Sequence, residues 1–154
     1  MSYLKLFLFV LLMGCKSQSP QENPSVQGKP LSFEVLIQGS HSNMEAQAYL
    51  VLQDHASLQK VFSEINKTRK PSMPVPDIDF SKKTVLFLNM GQSSTGGHHI
   101  SVGKIIKTEA SIDVYVEGKS PKPGENVTMV ITQPFVMVSL DKQSLPFEFK
   151  QVYQ

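Results

Sequence analysis

From Leu31 onward, apolar and polar residues alternate in short runs separated by turn residues, the pattern of half-buried strands in an antiparallel arrangement. The alternation predicts eight strands. In the first, Phe33, Val35 and Ile37 are expected on one face, with Ser32, Glu34 and Leu36 on the other. A second run, 46–53, has a mixed pattern. Residues 84–90 are apolar at four successive positions, Val85 to Leu88, as a central strand covered on both faces would be. Ile112, Val114 and Val116 alternate with Asp113, Tyr115 and Glu117, which predicts one face on the core and one on water. Runs at 98–106, 127–133, 135–141 and 146–153 complete the set, with Lys119–Gly124 as a proline- and glycine-bearing turn.

One segment follows a different period. Leu58, Val61, Phe62 and Ile65 recur at helical spacing behind Asp54, whose carboxylate can cap the first turn, so a helix is expected over 55–67. Lys67, Arg69 and Lys70 follow at its negative dipole end, and Pro71 prevents continuation. The stretch 70–76 then reads as a stiff loop returning the chain to the central strand. The expected fold is mainly β: an antiparallel β-sandwich or partly open barrel of about eight strands with one packed α-helix over 31–154.

The amino-terminal end has another character. Lys5 precedes eight apolar residues, Leu6 to Met13, and then Gly14 and Cys15, the layout of a signal peptide over 1–14. Eight helical residues span about 12 Å, too little for the ~30 Å hydrocarbon core. Leu12-Met13-Gly14-Cys15 resembles the bacterial lipoprotein box, which implies lipidation of Cys15 and cleavage before it. The chain's single cysteine excludes an internal disulfide and multi-thiolate zinc sites. Residues 15–30 carry too little apolar surface to fold alone and are expected to form a tether. These features together place the chain in the bacterial cell envelope, lipid-anchored, with the outer membrane favoured. With Lys5 set aside, 14 Lys and Arg face 13 Asp and Glu, so bulk charge gives no reason to expect a nucleic-acid partner.

No arrangement of residues assembles a catalytic site. Gly91 to Gly96 has the glycine spacing of a phosphate loop, but Gly97 stands where lysine is required. His98 and His99 are adjacent on an expected strand and would point to opposite faces, which prevents both from ligating one ion. Asp77 and Asp79 follow Pro74 and Pro76 with no further acidic ligands at loop spacing. No nucleophile elbow accompanies the serines. The expectation is therefore a protein without catalytic residues, metal or cofactor. Gly96-Gly97 permits positive φ and close backbone approach, and Gln133-Pro134-Phe135 interrupts a β run, so each marks a loop. Placed at one end of the sheet, the two would form a recognition edge.

These loops carry a resemblance. Asp79-Phe80-Ser81-Lys82, Val85, Gly91, Thr95-Gly96-Gly97, Pro121, Gly124, Val127, Thr128, Thr132 and Pro134-Phe135 are similar to the C-terminal domain of the PrcB family of protease complex subunits, over about 77–142. In that family the Thr-Gly-Gly turn is commonly preceded by proline and followed by an aromatic residue, where this chain has Ser94 and His98. The resemblance implies an envelope lipoprotein that binds a secreted subtilisin-like protease as an accessory subunit. Recognition is expected through the two loops, at Thr95, Gly96, Gly97, His98, Pro134 and Phe135, with backbone groups offered by the glycines and apolar area by Phe135. A looser likeness of Ser94-Thr95-Gly96 and Gln133-Pro134-Phe135 to the paired loops of chagasin-type cysteine-protease inhibitors implies an inhibitory alternative, and an envelope ligand-binding module is the other alternative.

Overall fold

The computed structural model describes residues 28–153; the signal segment, Cys15 and most of the expected tether lie outside the described residues. Eight strands and one helix follow in the order β1 (Lys29–Leu31), β2 (Phe33–Gly39), β3 (Ala48–Leu52), α1 (His55–Asn66), β4 (Lys83–Asn89), β5 (His99–Lys107), β6 (Ile112–Lys119), β7 (Phe135–Asp141) and β8 (Phe147–Tyr153). They form two four-stranded sheets, ordered β1-β5-β6-β8 and β2-β7-β4-β3. All neighbours are antiparallel except β6 and β8. The fold is a β-sandwich, not a closed barrel, with the helix on the outer face of the second sheet.

The alternation along β4 and β7 creates three layers. Leu86 and Leu88, with Val136, Val138 and Leu140, face the other sheet and meet Ile105, Ile112 and Val114. Val85, Phe87, Phe135 and Met137 face the opposite way, onto Leu58, Val61, Phe62 and Ile65 of α1. Both inner strands are thus covered on two sides, as the unbroken apolar run at Val85–Leu88 requires. Helix α1 starts where the sequence places it. Asp54 Oδ1 accepts the Ser57 amide at 2.7 Å, the N-cap arrangement that satisfies an otherwise orphaned donor.

Four expectations are corrected. Ile37 does not share a face with Phe33 and Val35, because a bulge at Leu36 lets Val35 pair with Val138 and Ile37 with Met137. Phe33 consequently packs between the sheets, Ile37 toward the helix, and Val35 is 53% exposed. The 127–133 run forms no strand and touches its neighbours through the isolated bridges Ser93↔Thr132 and His41↔Gln133. The folded part begins before residue 31, because Lys29 and Pro30 belong to β1 and pair with β5. The face of β6 expected to meet water does not do so at Asp113, which is 5% exposed. There Ser111 Oγ donates to its carboxylate at 2.6 Å and Lys150 of β8 reaches it at 3.1 Å. The Ser111 bond first, then Lys150, hold the Asp113 carboxyl below the usual aspartate range against the opposing effect of desolvation.

Candidate functional site

The two loops singled out by the sequence lie side by side. β4 delivers the first at Asn89 and β5 resumes at His99; β7 resumes after the second at Phe135. Ser93 and Thr132 exchange both backbone hydrogen bonds, at 2.8 and 2.9 Å, and Thr132 Oγ1 donates to the Thr95 carbonyl at 2.8 Å. One residue on, the Gly96 amide donates to Thr128 O at 2.9 Å. On the other flank Gln133 N donates to Ser40 O and Ser42 N donates to Gln133 O, while Met90 N donates to Pro134 O. The arm from Asn126 to Gln133 is therefore stitched between the Thr-Gly-Gly turn and the chain after β2.

This stitching explains the glycines. Gly96 is buried, and a Cβ there would run into Thr128 Oγ1. Gly97 has φ +83°, and a Cβ would sit 2.9 Å from Pro121 Cγ. The turn thus needs glycine both for its left-handed backbone and for the arm lying against it. His98 is fixed from both ends of its ring, with Nε2 3.1 Å from Thr95 Oγ1 and Nδ1 3.2 Å from Ser120 Oγ. It precedes the strand instead of lying in it, whereas His99 opens β5 with Nε2 3.1 Å from Gln38 Nε2. A cleft of about 260 Å³ opens between the loops, bordered by Gln38–Ser40, His98–Ile100 and Pro134–Phe135.

Of the six expected contact residues, Gly97 is exposed, Thr95 and His98 are half-buried, and Gly96 and Pro134 are buried. Phe135 is the clear correction. It is 0% exposed, its ring lies 5.8 Å from that of Phe87, and its edge occupies the space a Cβ on Gly39 would take. It starts β7 on the helix-facing side, so its apolar area belongs to the core. The Gly96 N–H is taken by Thr128 O and is not free for a partner.

The apolar surface at this edge comes from residues that the alternation assigns to a strand. Met129 is 85% exposed, Ile131 56%, and Val130 between them is exposed as well. The signal in the sequence is the run Val127 to Thr132, bracketed by the Pro121–Gly124 turn and Pro134; alternation alone does not say that the segment lacks a strand partner. No group of three or more His, Cys, Asp or Glu side chains that could hold a metal ion occurs among the described residues.

The structure gives a boundary to the resemblance. No curated protein and no solved structure matches the chain. The model for the family described as PrcB C-terminal matches residues 84–141, which begin at Thr84 in β4 and end with β7 and so contain both loops and the arm. Over those residues, fewer than half of its length, the chain is similar to the PrcB C-terminal family.

Proposed function

We propose that this domain is a protein-binding module, an accessory subunit of a secreted subtilisin-like protease complex, held to the cell envelope by lipid on Cys15. It meets its partner through the 126–133 arm, with Met129 and Ile131 as apolar contacts and the Thr95–His98 turn as the rigid seat beneath them. The observation that carries this reading is the exposure of Met129, 85%, on a segment whose two ends are hydrogen-bonded to the body of the domain. Large apolar side chains on a positioned loop are pre-organised for association, because little ordering entropy is left to be lost on binding. The PrcB C-terminal match over the arm supports the accessory role.

The test is affinity capture of the tagged, lipidated chain from its own cells, compared with the double variant Met129→Ser/Ile131→Ser. The expected result is a protease recovered with the native arm and lost with the variant, at an unchanged melting temperature. Equal recovery by both would sink the reading. Replacing Cys15 by Ser tests the anchor separately, since it should move the protein from the membrane to the soluble fraction. The inhibitory alternative keeps its neighbouring loops, through Thr132 Oγ1 and the Thr95 carbonyl, but not its aromatic contact, because Phe135 is in the core. Inhibition of papain-like enzymes by the chain would restore it.

A further inference from the structure

The carboxyl end of α1 carries an arrangement that protein binding at the arm does not use. Its last-turn carbonyls already have a donor: Asn43, held at φ +61°, gives Nδ2 to the carbonyls of Glu64 and Ile65, both at 3.0 Å. Thr68 Oγ1 fixes that amide by donating to Asn43 Oδ1 at 2.9 Å. The cations that follow are therefore not needed as caps. Lys67 is paired with Glu64 at 3.5 Å, but neither Arg69 nor Lys70 forms an ion pair among the described residues.

Arg69 is the unusual member. Its Nε–H is buried from water, and no acceptor for it exists among the described residues. An arginine stays charged at any physiological pH, and a buried N–H without an acceptor is unfavourable. Beside it lies a cleft of about 290 Å³, lined by His41, Asn43, Ile65, Thr68, Arg69 and Lys70, with no carboxylate among them. At about 30 Å³ per water molecule, that volume admits a small polyatomic ion with its hydration.

We propose that this cleft binds a compact oxyanion, a carboxylate or phosphate group, with the Arg69 guanidinium as its principal ligand and Lys70 and His41 at its rim. A planar fork of N–H donors matches two oxygens of such a group, and a charge-assisted pair would satisfy the buried Nε–H. The site adjoins the arm, since His41 bridges to Gln133, yet it does not depend on the arm's binding a protein.

The experiment is a titration of the full chain with inorganic phosphate and, separately, acetate, at constant ionic strength set with chloride, while following the Arg69 Nε–H resonance by NMR. A saturable shift, absent with chloride alone, is expected; the tighter of the two anions identifies the group. Arg69→Lys keeps the charge but loses the fork and should weaken binding by roughly tenfold, and Met129→Ser/Ile131→Ser should leave it unchanged. An Arg69 resonance that moves no further with either anion than with chloride overturns the proposal. Because that resonance belongs to the wild-type chain, the outcome does not depend on any variant folding.

Discussion

Replacing Phe135 by Ala separates a core residue from a contact residue at the position where sequence and structure disagree most. The ring is fully buried, lies 5.8 Å from Phe87 at a tilt of 38°, and stands opposite Gly39 on one side and Asn89 on the other. Gly39 has no side chain to move into the vacated space, and β7 is pinned between β2 and β4, so the cavity cannot readily collapse. A buried Phe→Ala change removes about 3–5 kcal/mol, and loss of the ring pair favours the upper part of that range. With a urea m-value near ~2 kcal/mol/M, the unfolding midpoint should fall by about 2 M at constant m. The melting temperature should fall by about 10–20 °C. Urea titration followed by far-UV circular dichroism is the assay, since the chain has no Trp to report by fluorescence. A loss below about 1 kcal/mol, together with loss of the captured partner, would refute the reasoning and return Phe135 to the surface.

Four further substitutions probe the supports of the site and of the sheet beside it. Asn89 is buried, donates to Met44 O at 3.0 Å and Ala46 O at 2.7 Å, and accepts from Ser42 Oγ at 2.6 Å. Asn89→Ala should cost about 2–4 kcal/mol in urea unfolding, because it strands these partners. Gly97→Ala should cost about 1–2 kcal/mol for its left-handed backbone plus the displacement of Pro121. Gly124→Ala, at the same φ of +83° with open space around it, should show the backbone cost alone, and equal losses at the two sites would contradict the packing argument. Asp113 has its pKa lowered in the fold, so its stabilisation is complete above the ordinary aspartate value of about 3.9 and is lost as pH falls through the lowered one. The gap in melting temperature between wild type and Asp113→Asn should therefore narrow between about pH 5 and about pH 2, and a constant gap would remove the ion-pair explanation.

What can be read in the sequence is what local physics decides. Helix α1 declares itself through Leu58, Val61, Phe62 and Ile65 and through the Asp54 cap, all within a dozen residues. β4 is legible because burial on two faces leaves an apolar run with no alternation. The failures share a cause outside the segment concerned. The face of Ile37 depends on a bulge that exists only against β7, and β1 becomes a strand only because β5 lies beside it. Val127 to Thr132 has β propensity without a ladder to join, so the side chains of Met129, Val130 and Ile131 remain outside. The two loops of the site do come together as their turn residues suggest, but the direction of Phe135 is set by the register Asn89↔Phe135↔Gly39, which no motif encodes. Arg69 reads as an ordinary dipole-compensating cation, because nothing near it in the chain reveals that Asn43 fills that role.

The brevity of β1 has a mechanical consequence. It is held to β5 at only three positions, Lys29↔Lys107, Pro30↔Ile106 and Leu31↔Ile105, and Pro30 brings no N–H to the ladder. The next strand, β2, is held to β7 at six. Tension drawn from the amino-terminal side therefore peels β1 first, releasing about 17 Å of chain between residues 28 and 32 while the three-layer core stays closed. Pulled by that end, the domain extends by a short length of chain before the load reaches the strands that carry the two loops.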